Sequence, residues 1–148
     1  MTKTLKGGCL CGAVSYETQA DPVIVAHCHC TDCQKSSGTG HGTHVALPEE
    51  AVKFSGEIKF YDSPADSGNT VSRGFCPACG SAIFSRNSSM PGMAFIRASS
   101  LAEPDAVTPS LIVYASRAPK WDKMDPSLPS FAEMPEDGPE KVIADAQT

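Results

Sequence analysis

Thr70-Val71-Ser72-Arg73-Gly74-Phe75-Cys76-Pro77-Ala78-Cys79-Gly80-Ser81-Ala82-Ile83-Phe84-Ser85 joins two short β-rich runs through a C-x-x-C turn. β-Branched and aromatic residues favour extended backbone, and the Pro and Gly at the join break it. The stretch therefore predicts a hairpin over about residues 70 to 85. Cys76 and Cys79 form a knuckle able to present both sulfurs to one ion, with Gly80 giving the backbone freedom to turn beneath it.

The same texture recurs on either side. Residues 13–17 alternate, residues 23–26 are a compact β-branched run, and further strands are predicted at 44–47, 51–54, 58–61, 93–98 and 111–114. Gly, Pro, Asn, Asp or Ser separates most of them, helped by 12 glycines and 12 prolines in 148 residues. The expectation is a mainly β domain of short antiparallel strands with little helix. One helical turn is predicted from Thr31, an N-cap candidate, through Cys33 to Ser36. The chain reads as a single domain, 1–148, with its core over about residues 5–125. Residues 126–148 read as an irregular Pro-rich and acidic segment, packed through Trp121, Leu128 and Phe131, with a last helical turn at 141–146.

No apolar run approaches the roughly 18 to 20 residues needed to cross a bilayer. Met1 to Gly8 has no apolar stretch of the secretory type after its lysines. Seven cysteines without an export signal point to a reducing, cytoplasmic setting, and their odd number does not suit a pure disulfide framework. The net charge of −5, with no basic stripe, argues against a nucleic-acid partner, and nothing calls for a membrane.

Thiolate ligation of metal is the better reading of the cysteines. They fall in three clusters: Cys9-Leu10-Cys11, His27-Cys28-His29-Cys30-Thr31-Asp32-Cys33, and Cys76-Pro77-Ala78-Cys79. In an extended segment residues two apart point the same way, so Cys9 and Cys11 can share an ion with Cys76 and Cys79. Four sulfurs close a tetrahedral zinc site that braces the fold. Cys28 and Cys30, on one strand face, and Cys33, a helical turn beyond Cys30, can converge on a second ion. Structural zinc takes four protein ligands, whereas catalytic zinc keeps a position open. Four plus three is thus a functional clue. The alternatives are ordinary buried thiols or redox-active cysteines for the pairs, and a structural site closed by histidine or water for the trio. His27 and His29 project opposite to the trio and read as packing residues. His41 and His44 lie in or after the Gly/Ser/Thr-rich loop 36–43, within reach of the trio, but a solvated or core histidine is the leading reading of each.

These clusters resemble the glutathione-dependent formaldehyde-activating enzyme family, which also includes centromere-protein-V-like proteins. The matching text is Gly7-Gly8-Cys9-Leu10-Cys11-Gly12-Ala13-Val14, His27-Cys28-His29-Cys30-Thr31-Asp32-Cys33-Gln34-Lys35 and Arg73-Gly74-Phe75-Cys76-Pro77-Ala78-Cys79-Gly80, with Tyr114–Trp121 and Leu128-Pro129-Ser130-Phe131 similar to the family's ending. The resemblance implies a β-tent fold. It also implies a structural zinc on Cys9, Cys11, Cys76 and Cys79, and a catalytic zinc on Cys28, Cys30 and Cys33; the excess negative charge of three thiolates makes that second zinc the more labile expectation. The implied reaction joins formaldehyde to glutathione, as a carbon–sulfur lyase. Gln34 departs from the arginine that commonly follows the third cysteine.

The leading expectation is therefore a zinc-dependent lyase acting on a small thiol and an aldehyde, with the three trio cysteines as its catalytic residues. The thiol would bind as fourth ligand. Lys35, Arg86, Arg97, Arg117 and Lys120 are candidate contacts for its carboxylates, and Trp121 is a core or pocket-wall candidate. The alternative is a non-catalytic zinc-binding module whose second site is structural or vestigial.

Overall fold

The computed structural model describes residues 4–65 and 68–135. The helical turn expected at 141–146 lies outside them. Ten strands and one α-helix are present among the described residues, so the mainly β expectation holds. The strands are β1 (Leu5–Gly8), β2 (Ser15–Thr18), β3 (Ile24–Cys28), β4 (Gly42–Pro48), β5 (Val52–Ser55), β6 (Lys59–Pro64), β7 (Thr70–Phe75), β8 (Ala82–Asn87), β9 (Met93–Arg97) and β10 (Leu111–Val113). The helix α1 spans Thr31–Ser37. The chain groups into two compact units, one of Met1–Pro22 with Val45–Val107, the other of Val23–His44 with Thr108–Thr148.

In the first unit β1, β2 and β5 form an antiparallel three-stranded sheet in the order β1-β2-β5. Residues 45–48 of β4 lead a second run in the order β4-β9-β8-β7-β6. Leu47, Ile83, Ile96, Val14 and Val45 are fully buried there. Phe54 stacks on Phe84 at 4.4 Å, and Phe60 meets Phe84 edge-on at 5.5 Å. The predicted hairpin is β7–β8, with Val71 opposite Asn87 and Gly74 opposite Phe84.

In the second unit β10 runs parallel to β3, pairing Leu111 with Ala26 and Val113 with Cys28. This parallel pair departs from the all-antiparallel expectation, because periodicity reports a strand's faces but not its partner. Residues 129–131 hydrogen-bond to the β10 strand and the residues after it. Ile112 N donates to Pro129 O, Phe131 N to Ile112 O, and Ala115 N to Phe131 O, each at 2.9 Å, so the segment adds alongside β10. Trp121 is 70 % exposed, which corrects its expected core or pocket role.

Candidate metal centres

Cys9 follows β1 directly, and Gly12 N donates to Cys9 O at 3.3 Å. Cys9-Leu10-Cys11 is therefore a turn and not an extended segment, with Leu10 at its tip 90 % exposed. The turn still brings the two sulfurs within 3.6 Å of each other. Cys76 and Cys79 sit in the β7–β8 connection, where Cys76 N donates to Ser81 O at 3.0 Å and Gly80 N to Cys76 O at 2.8 Å. Gly80 adopts φ +79, a conformation that side-chain-bearing residues resist. Cys11 Sγ lies 3.8 Å from Cys76 Sγ, and all four sulfurs lie within 4.8 Å of one another. Four thiolates at about 2.3 Å from one ion stand about 3.8 Å apart in a tetrahedron, so the group fits zinc.

Ser81 joins the two halves. Its hydroxyl accepts from Leu10 N at 3.0 Å and lies 3.2 Å from Cys79 Sγ, to which it donates. That hydroxyl, with the Ser81 and Cys11 amides, holds the Cys79 thiol down to about 5. Cys11 is pushed up to about 11: its backbone contact with Ala13 pulls the other way, but the thiols of Cys9, Cys79 and Cys76 and desolvation outweigh it. Crowded thiols cannot all ionise without a cation among them. The Val14 amide reaches Cys9 Sγ at 3.2 Å.

The second group forms where β3 ends and α1 begins. Cys28 is the last residue of β3, and Cys30 is the N-cap of α1, with φ −58 and ψ 155. Its sulfur accepts from Cys33 N at 3.3 Å, taking the place expected for the Thr31 hydroxyl. Cys33 is buried inside the helix. The three sulfurs lie within 4.8 Å of one another. Leu111 and Val113 are buried with Cys28 and Cys33, and Ile24, Ala26, Tyr114 and Met134 pack around them. The side chains of Cys30 and Cys33, then desolvation, push the Cys28 thiol far up.

His44 Nε2 lies 3.4 Å from Cys33 Sγ but does not join the mutually close set. His41 is not in that set either. It lies beside Asp122, with Nδ1 to Oδ2 at 2.7 Å, and His29, 1 % exposed, lies there too. Sequence reasoning missed Asp122, which sits 81 residues from His41 in a segment with no periodic pattern. Gln34 Nε2 donates to His29 O at 2.7 Å and Arg117 O at 3.0 Å, a bracing role that an arginine would fill differently.

Of the cations singled out, Arg86 is paired with Glu49 at 2.7 and 2.8 Å and lies over Phe60. Arg97 is buried in β9. Both belong to the first unit. Lys35 and Lys120 are exposed. Arg117 lies over the Tyr114 ring at 5.0 Å. Tyr114 is the one non-glycine among the described residues with positive φ, at 55, and it packs against the buried cluster of Cys28, Cys33, Leu111 and Val113.

A mainly β chain with one four-cysteine and one three-cysteine group, each able to hold a metal ion, is the class that fold and sites define. The sequence profile of the glutathione-dependent formaldehyde-activating enzymes matches residues 4–117, and the chain belongs to that family. The family carries with it glutathione-dependent formaldehyde activation. Among solved structures, the fold is similar to a crystal structure of a Rhodobacter sphaeroides protein. The TM-score is 0.54 at 20 % identity, over 70 % of this chain and 91 % of that one. A search of curated proteins finds no match. Among the described residues no helix is long and apolar enough to cross a membrane.

Proposed function

We propose that this chain is a zinc-dependent carbon–sulfur lyase that forms or cleaves adducts between a small, glutathione-like thiol and an aldehyde such as formaldehyde. One observation carries the reading. The sulfurs of Cys28, Cys30 and Cys33 form a mutually close set of three, with His44 Nε2 beside Cys33 Sγ but outside that set, whereas the other group has its four. A closed set braces; an incomplete set leaves room for a reactant.

A zinc ion on the trio would act as a Lewis acid that lowers the pKa of a thiol at the open position. The chain's own residues do the rest. Leu111, Val113 and Tyr114 keep water from the buried sulfurs. His44 Nε2, when it carries the proton, donates to Cys33 Sγ and spreads its negative charge, easing the approach of a further anionic sulfur. Arg117, held over Tyr114, is the cation we assign to a carboxylate of the thiol. In the forward reaction the thiol loses its proton and its sulfur pair forms the C–S bond to the aldehyde carbon. The carbonyl π pair moves to oxygen, which takes up a proton to give the S-hydroxymethyl adduct. The reverse breaks the same bond and returns thiol and aldehyde.

The test is adduct formation from glutathione and formaldehyde, followed by NMR against a protein-free control. Acceleration is expected, with Arg117→Ala raising KM for glutathione about tenfold while leaving an uncharged thiol unaffected. A rate equal to the control would remove this activity and leave the metal-binding module.

A further inference from the structure

The second unit holds a further cluster that the cysteine chemistry does not use. His29 is 1 % exposed, Asp122 12 % and His41 22 %. Both imidazole Nδ1 atoms converge on one carboxylate oxygen: His41 Nδ1 lies 2.7 Å from Asp122 Oδ2, and His29 Nδ1 lies 3.4 Å from it. All three donor atoms lie within 4.8 Å of one another. A fourth polar atom stands close by, the Gly40 carbonyl oxygen, 2.8 Å from His29 Nδ1.

We infer that His29, His41 and Asp122 form a third metal site, of two imidazoles and one carboxylate, for a divalent first-row ion such as Zn2+. Zinc holds His nitrogen and carboxylate oxygen at about 2.0 to 2.2 Å, which puts tetrahedral neighbours about 3.3 Å apart. The observed separations straddle that value, so small side-chain shifts complete the site. The donors suit zinc, cobalt or nickel and contain no sulfur, so the site differs in chemistry from both cysteine groups.

The surroundings hold the donors in place. A Cβ at Gly40 would lie 2.7 Å from both Cβ and Cγ of Asp122, so only glycine there admits the carboxylate. His27 braces His41 edge-on at 5.0 Å and is itself anchored, Nδ1 to Thr43 Oγ1, at 2.8 Å. Hydrogen bonding alone leaves the single His29 Nδ1 shared between Gly40 O and Asp122 Oδ2. On metal uptake each neutral imidazole moves its proton from Nδ1 to Nε2 and gives its Nδ1 pair to the ion. The bound ion would tie the segment around Asp122 to β3 and to the loop after α1.

The experiment uses full-length protein with its cysteine sites filled with zinc, titrated with Co2+ and separately with Zn2+. One additional equivalent is expected, with a cobalt spectrum lacking sulfur-to-metal charge transfer. Asp122→Asn and His41→Gln should each weaken it by more than about tenfold, and Cys30→Ser should leave it intact. Should either variant fail to fold, the unmodified protein still decides. On adding Zn2+, the 15N resonances of the His29 and His41 Nδ1 atoms should shift while that of His44 stays fixed. No additional equivalent, an equivalent kept in both variants, or unmoved Nδ1 resonances would show a purely hydrogen-bonded cluster and overturn the inference. Neither outcome bears on the thiol–aldehyde assay.

Discussion

Tyr16 shows how a single buried group leaves a signature in solution. Its hydroxyl lies 2.6 Å from Ser100 Oγ, and Ser100 in turn donates to Arg97 O at 2.7 Å, so the phenol is the donor. Burial pushes it up to about 12 against the opposing pull of that bond. A pKa raised in the folded state contributes stability fully present below the ordinary value near 10 and lost as pH rises from there through about 12. Alkaline unfolding should therefore steepen over that window, by up to about 3 kcal/mol. Tyr16→Phe should flatten it, as equilibrium denaturation at stepped pH would reveal. Legibility differed sharply at this scale. Spacing made the division of the seven cysteines into a group of four and a group of three readable, and the projection of His27 away from Cys28 was readable too. Asp122 was not, because only tertiary folding carries it to His41.

At the scale of elements, the two cysteine groups differ in what a substitution removes. Cys30 is both a donor to the trio and the N-cap of α1. Serine is a better cap than cysteine, its hydroxyl accepting the same amide. Cys30→Ser should therefore keep the fold, read by circular dichroism and thermal melting, while abolishing turnover and releasing the trio's metal. Cys79 lies in the β7–β8 connection and shares its sulfur group with the Cys9–Gly12 turn. Cys79→Ser should cost on the order of 3 kcal/mol or more and lower Tm strongly. The reversed pattern would exchange the roles of the two groups. Most strands were legible from alternation and turn residues, and β7 with β8 is the hairpin expected over about residues 70 to 85. β1 was not placed by pattern, since Gly7 and Gly8 lack strand propensity and its pairing with β2 decides the conformation. The Cys9–Cys11 turn was missed because spacing alone does not tell a strand from a turn.

For the whole molecule, the two sulfur groups should part company under chelation. The trio has fewer ligands and should release its metal first, abolishing adduct formation while the thermal transition stays near its starting value. Stronger chelation should empty the four-cysteine group and collapse the first unit's cooperative melt. Parallel metal counts and melting curves would show whether the steps are separate, and a single simultaneous loss would contradict the division into bracing and reactive sites. Short β-rich runs parted by turn residues foretold the β-rich architecture, and the acidic charge of −5 disfavours a polyanion ligand. The division of the backbone into two compact units left no trace in composition, because no linker-like stretch marks it.

The parity of β3 has a consequence for insertions and deletions. His27 faces Thr43, while Cys28 joins Leu111 and Val113. Sliding the strand one place against β10 would deliver nitrogen where sulfur is required and strand a thiol among imidazoles. Soft and borderline donors select different ions, so a frame slip of one codon's worth of chain would rewrite metal preference on both sides at once.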